Sequence, residues 1–248
     1  MSLRLAFIIP DTHAPYHHVK ANKLVQLIAN DLQPDEIVFL GDVADYYAVN
    51  SHGRHPGLLH TLVEEIDQVN KFIDGWDKCP GKKVYLIGNH ENRLERFIYH
   101  RCPELFQVTE IDKLMRLNER GWRFIDYGPN QIYSVLGSKL KARHEPSGTT
   151  AKLSAQKSGC SLVYGHIHRI EQAYSVHMVT KDEHVNFCPG WLGDKSYDKI
   201  FGYVKHHHQW QLGFGIVWVD PKTRNFYHQI IPILPDISAV VNGKRYRL

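Results

Sequence analysis

Five short stretches carry side chains able to bind cations or move protons: Asp11-Thr12-His13, Gly41-Asp42-Val43-Ala44-Asp45, Gly88-Asn89-His90-Glu91, a solitary His144, and Gly165-His166-Ile167-His168. Their carboxylate, amide and imidazole donors together suit divalent first-row cations better than a purely thiolate set would. Each stretch alone has an ordinary explanation. Asp42, Asp45 and Asn89 are good turn formers or helix caps, and a lone His-x-His after a strand is more often a surface or packing detail. The recurrence of donors directly after apolar runs is what favours a joint metal site. On extended backbone, His166 and His168 would point to one side.

Positioning such donors takes a scaffold, and the first half of the chain alternates short apolar runs with amphipathic ones, the pattern of an α/β fold. Strands are expected at 3–9, 37–41 and 84–88, and helices at 18–31, 58–73 and about 91–100. Ala21, Leu24, Leu27 and Ile28 are spaced to face the sheet. From about 123 the chain turns strand-rich, with runs at 131–136, 161–165, 173–179, 184–188, 214–219 and 226–231 separated by Gly, Pro or polar turns. No long Ser/Gly/Pro linker divides the 248 residues, which predicts one domain over 1–248. Within it, 189–213 reads as a loop or lid insertion carrying Trp191, Tyr197, Phe201, Tyr203 and Trp210 around His206, His207 and His208.

Composition bounds the rest. Hydrophobic residues at 43% and charged residues at 23% exclude collagen, coiled coil and disordered chains. A net charge of +4 permits an anionic partner without the concentrated basic character of proteins dominated by nucleic-acid backbone contacts. Cys79, Cys102, Cys160 and Cys188 form no close pair, so neither a zinc ribbon nor a disulfide framework is suggested and a reducing, cytoplasmic setting is expected. The opening LRLAFII run is too short for a signal-peptide core or a membrane span, and no membrane partner is expected. The 17 His are the unusual entry, because imidazole is the side chain best suited to metal ligation and proton transfer near neutral pH.

The ordered set DTH, GDVAD, GNHE, isolated His and GHIH resembles the calcineurin-like metallophosphoesterase superfamily, in its compact members often encoded by phages or bacteria. The resemblance spans most of the chain and implies a four-layer α/β/β/α sandwich with two metal ions at the strand ends. It further implies that Asp11, His13 and His168 hold one metal, that Asp42 bridges both, and that Asn89, His144 and His166 hold the other. Mn is the first expectation for the pair, with Fe, Zn, Ni or Mg as alternatives. Two such ions can activate water and stabilise the attacking and leaving oxygens of an in-line phosphoryl displacement. The family position of His90 implies a catalytic group that stabilises the transition state or donates a proton, with Asp45 orienting it. Capping of the following turn is the other role open to Asp45.

One departure bears on substrate. The phosphoprotein-phosphatase branch usually continues its GD-x-x-D element with Arg-Gly, and this chain has Tyr46-Tyr47. Without that Arg, either phosphate recognition passes to another cation or the substrate class changes; Arg54, Arg93, Arg96 and Arg143 are available, and Arg93 and Arg96 are the substrate-binding candidates because they open the helix after GNHE. A phosphodiesterase acting on a nucleotide, DNA or RNA is the leading expectation, supported by the mild basic charge and by aromatics able to stack on bases. Core packing explains those aromatics equally well. The alternatives are a phosphomonoesterase or protein phosphatase, and a noncatalytic nucleic-acid-binding protein. If the gene is phage-borne, the expected location is the host cytoplasm.

Overall fold

The structure, a computed structural model, describes residues 2–50, 60–197, 200 and 207–248. Arg54, the first two residues of the helix expected from 58, and Phe201, Tyr203 and His206 lie outside the described residues. The first half contains β1 (Arg4–Ile9), α1 (Val19–Leu32), β2 (Glu36–Phe39), α2 (Leu62–Asp77), β3 (Lys82–Leu86), α3 (Asn89–Arg101), α4 (Ile111–Leu114) and β4 (Arg123–Ile125). The second contains β5 (Tyr133–Ser134), β6 (Lys141–Arg143), α5 (Ala151–Ser158), β7 (Leu162–Tyr164), β8 (Ile170–Val176), β9 (Glu183–Pro189), β10 (Gly213–Val219), β11 (Phe226–Pro232), β12 (Ser238–Val241) and β13 (Lys244–Arg247).

Two sheets stack face to face. The first is ordered β11–β10–β1–β2–β3–β4; β1 to β4 run parallel, and β10 and β11 are antiparallel additions. The second is ordered β5–β6–β7–β9–β8, with β6, β7 and β9 parallel. The alternation along β1 sets the layering. Phe7 and Ile9 pack with Leu24, Val25 and Ile28 of α1 and with Ile73 and Trp76 of α2. Ala6 and Ile8 pack instead with Val163, Val185 and Phe187 of the second sheet. On the far side α5 covers the second sheet, where Ser154 accepts a hydrogen bond from Asn186 of β9 at 3.0 Å. The result is an α/β fold of two sheets flanked by helices. Each large apolar side chain fully buried between these layers contributes about 1.5–3 kcal/mol.

Several expectations shift. The helix expected over 58–73 is Leu62–Asp77, because Thr61 and Glu64 form a reciprocal capping box that fixes its start. Leu27 is exposed on α1, while Val25 and Ala29 are buried there with Ala21, Leu24 and Ile28. The run at 131–136 gives a two-residue strand and then a 3-10 turn at Val135–Gly137. Helix α5, strands β4 and β6 and the β12–β13 hairpin were not anticipated. The first buries only small residues, Ala151, Ser154 and Ala155, and so leaves no strong apolar stripe. The hairpin did carry a signal: Asn242-Gly243, both at positive φ, form the two-residue turn that such pairs favour.

Candidate metal centre

All five stretches converge at one rim of the two sheets. Asp11 and His13 follow β1, Asp42 and Asp45 follow β2, Asn89 and His90 open α3, His144 follows β6, and His166 and His168 follow β7. Four of these residues, His13, Asp42, His166 and His168, sit at positive φ of 52°, 48°, 67° and 58°. Such backbone costs of order 1–3 kcal/mol per residue and persists where the surroundings impose it. It also corrects the extended reading of His-x-His. The turn after β7 sends the two rings apart, His168 to Asp11 and His13, and His166 to Asn89.

The donors fall into two groups sharing Asp42. Asp11, His13, Asp42 and His168 offer atoms within 4.8 Å of one another, and so do Asp42, His144 and His166. In the first group His168 Nε2 stands 3.1 Å from both His13 Nε2 and Asp11 Oδ2. In the second, Asn89 Oδ1 lies 2.8 Å from His144 Nε2 and from His166 Nδ1, and Asp42 Oδ2 is 3.3 Å from His144 Nε2. A further trio, His13, Asp45 and His90, adjoins the first group. The described donors therefore form two clustered sites of the kind that hold a pair of divalent ions.

The chemistry of the donor set fits such ions. His13 Nδ1 faces Asp45 Oδ2 at 2.8 Å, and His144 Nδ1 faces the Leu40 carbonyl at 2.9 Å. A ring that donates from Nδ1 to such a partner presents the Nε2 lone pair to the centre, as metal-ligating histidines do. The neighbouring charges shift these groups in opposite directions. Burial alone would raise the carboxyl pKa of Asp42, yet the rings of His144 and His90 hold it well below the usual range. Asp11 is lowered in the same way, against its burial, by His168. For His144 burial opposes protonation, but Asp42 beside it lifts the pKa to about 10, so a cation binding at Nε2 has to displace that proton. For His168 burial dominates and pushes it down to about 4, leaving the imidazole neutral.

Two supporting residues had not been singled out. Glu91 is fully buried and accepts from Gly88 N–H, Asp42 N–H and Ala44 N–H and from the Tyr85 hydroxyl, at 2.8, 3.1, 2.9 and 2.6 Å. It ties the turn after β2 to the start of α3. Gln131 accepts from His144 N–H at 2.7 Å and donates to the Ile87 carbonyl at 2.7 Å, fixing the only donor that β6 supplies. The signal for Glu91 was its position in the first turn of a helix, three residues after Gly88; Gln131 carried none. The glycines of the motifs have a steric cause. A Cβ at Gly88 would come within 2.2 Å of Asp42 Oδ1, and one at Gly165 within 2.2 Å of Asp11 Oδ1.

Beside the centre, His90 N–H donates to Asp42 Oδ1 at 2.8 Å, and Nδ1 of its ring lies 3.3 Å from Asp45 Oδ2. Asp45 thus stands between the rings of His13 and His90. Arg93 Nη2 donates to the Asp45 carbonyl at 2.7 Å and lies 2.6 Å from His90 Nδ1, which itself faces the Asp45 carbonyl at 3.0 Å, and Arg93 Nη1 donates to Asn50. Arg96 does not reach this cluster; it lines, with Arg93 and Asn89, a cavity of about 500 Å³ along α3. Two described aromatics of 189–213 follow the packing explanation rather than base stacking. Trp191 and Trp210 are buried, meet edge to face, and close over His168 at ring-centroid distances of 5.2 and 4.3 Å. Tyr46 and Tyr47, standing where Arg-Gly was the other pattern, are buried as well. Among the described residues no helix is long and apolar enough to cross a membrane.

Residues 6–233 match the family model for calcineurin-like phosphoesterase. Two phage proteins align with nearly the whole chain. The Gene 54 protein of Mycobacterium phage D29 is 27% identical over 265 residues, 98% of this chain and 96% of that protein. That of Mycobacterium phage L5 is 24% identical over the same shares. Among solved structures, Yfce, a phosphoesterase from E. coli, aligns over 91% of this chain and 98% of its own, with 15% identity and a TM-score of 0.40.

Proposed function

The chain belongs to the calcineurin-like phosphoesterase family, and from that premise we propose that it hydrolyses phosphodiester bonds of a nucleotide or nucleic acid with two divalent metal ions. The observation that carries this reading is the pair of donor groups joined through Asp42. Asp11, His13 and His168 would hold one ion, Asn89, His144 and His166 the other, and Asp42 would be shared. Bound there, two cations supply Lewis acidity to the phosphoryl group and lower the pKa of the attacking water.

The protein's own groups do the remainder. His90 Nδ1 faces the Asp45 carbonyl at 3.0 Å and the Asp45 carboxylate at 3.3 Å, so the charged ring donates there and keeps its second proton on Nε2, the nitrogen that lies 3.8 Å from Asp42 Oδ2. From there it can be given to the leaving oxygen, a contribution of about 10²–10⁴-fold for a placed general acid. Asp45 is the positioning residue that holds the rings of His90 and His13 in register. Arg93 and Arg96 would bring positive charge to the substrate on the α3 side. Burial of Tyr46 and Tyr47 leaves no phosphate clamp at that turn, which favours a diester over a phosphoprotein.

The test is a matrix of Mn, Ni, Zn and Mg against an aryl monoester, an aryl diester, cyclic nucleotides, and single- and double-stranded DNA and RNA. The reading expects diester hydrolysis with Mn among the active metals. Preference for the monoester would favour a phosphomonoesterase. Salt-sensitive nucleic-acid binding without turnover on either ester would favour a noncatalytic binding protein.

A further inference from the structure

We infer that one face of α3 is a binding track for single-stranded nucleic acid, leading away from the metal centre, so that the substrate is a polynucleotide rather than a mononucleotide. The inference rests on the hydrolase reading only for the cleavage it would feed. Cavity-lining positions on α3 recur at 89, 92, 93, 96, 97, 100 and 101, the three-and-four spacing of one helical face. Asn89 at its start is a donor of the second metal group. Twelve residues further on, about 18 Å along the axis, Arg101 ends it. That is the length of about five stacked nucleotides at ~3.4 Å each.

The chemistry along the face suits a strand and not a single phosphate. Arg96 and Arg101 supply two positive charges in line with Arg93, which is already paired with Asp45 at the inner end, and His100 stands beside them. Arg96 and Arg101 are exposed, and neither is among the described arginines that form an ion pair. Phe97, 45% exposed, and the half-buried Tyr127 give two π-faces in the same cavity. A polyanion with flat bases is the ligand that uses both features, since basic grooves interleaved with aromatics track the backbone and stack the bases.

The neighbouring surface gives the track an edge. On the other side of Tyr127 a second cavity is lined by Glu95, Glu110, Asp112 and Asp126. Its carboxylates repel a phosphate backbone, which confines the strand to the arginine side and directs it toward Asn89 and the metal donors.

The experiment measures fluorescence anisotropy of labelled oligothymidylates of two to ten nucleotides, with phosphorothioate linkages to slow cleavage, on the metal-loaded protein. Affinity is expected to rise with length up to about five nucleotides and then level, with a log–log salt slope of about −1.4 for the two unpaired arginines at ~0.7 each. Arg96→Ala/Arg101→Ala should reduce the slope by about 1.4. Phe97→Ala should weaken binding about 5- to 100-fold through lost stacking while leaving the slope unchanged. Thermal melts of both variants check that the fold persists. Affinity independent of length, an unaltered slope in the double variant, or equal competition by polyglutamate would overturn the track. Hydrolysis of an aryl diester by the same preparation is read separately. Cleavage without length-dependent binding sinks the track and spares the hydrolase, and length-dependent binding without cleavage does the reverse.

Discussion

The two halves of the centre are built to different rules. The Asp11–His13–His168 half is buried, its rings are capped by Trp191 and Trp210, and Asp45 fixes His13 from behind. The Asn89–His144–His166 half rests on buried His144, but His166 is exposed and Asn89 opens onto the cavity along α3. Under the proposed two-ion reading, desolvation and packing would strengthen the first group's hold on a cation, because electrostatic attraction grows as water is excluded. The second would give up some of that strength and gain access from the cavity along α3. The difference teaches that two donor groups sharing Asp42 can differ in enclosure, one closed by packing and the other open on one side.

The largest expected effect comes from removing what the halves share. Asp42→Ala should lose both ions, seen as metal content per chain, and about 10⁴-fold or more in kcat/KM on an aryl diester. Retention of two ions would break the description of Asp42 as common to both halves. Next comes His90→Ala, which should cost about 10²–10⁴-fold in turnover with metal content unchanged; normal turnover would remove His90 from the chemistry.

Smaller effects should separate the halves. Asp45→Asn and Gln131→Ala each strike a residue holding one ligand from behind, His13 and His144 respectively. Each should weaken metal affinity about 10- to 100-fold, in chelator competition, and in its own half alone; weakening both halves equally would make the comparison fail. Trp210→Ala should have the mildest effect on turnover. It should speed release of the ion beside His168 and destabilise the fold by about 3–5 kcal/mol, read as a lower Tm. An unchanged release rate would mean that the aromatic cap does not distinguish the halves.

Much of this centre was legible before any geometry. Donors placed directly after apolar runs mark the rim of a parallel sheet, and that alone brings Asp11, Asp42 and Asn89 together. What sequence pattern misjudged was local backbone. A strand periodicity assumed for His166 and His168 put them on one side, whereas left-handed turns divide them between the two groups. Gln131 could not be found, because an amide bonding to one backbone N–H and one carbonyl has no spacing rule. The aromatics of 189–213 have the composition of a stacking surface, and only their burial against His168 assigns Trp191 and Trp210 to packing. Phe97 and Tyr127, far apart in sequence, share a cavity that only the fold creates.

The most direct test of the account is a metal titration of the stripped protein in which bound ions per chain and aryl diester hydrolysis are followed together. The account predicts a first ion that binds tightly with little turnover, and activity that appears with the second. Activity saturating at one ion per chain, or absence of hydrolysis with two ions bound, would contradict it.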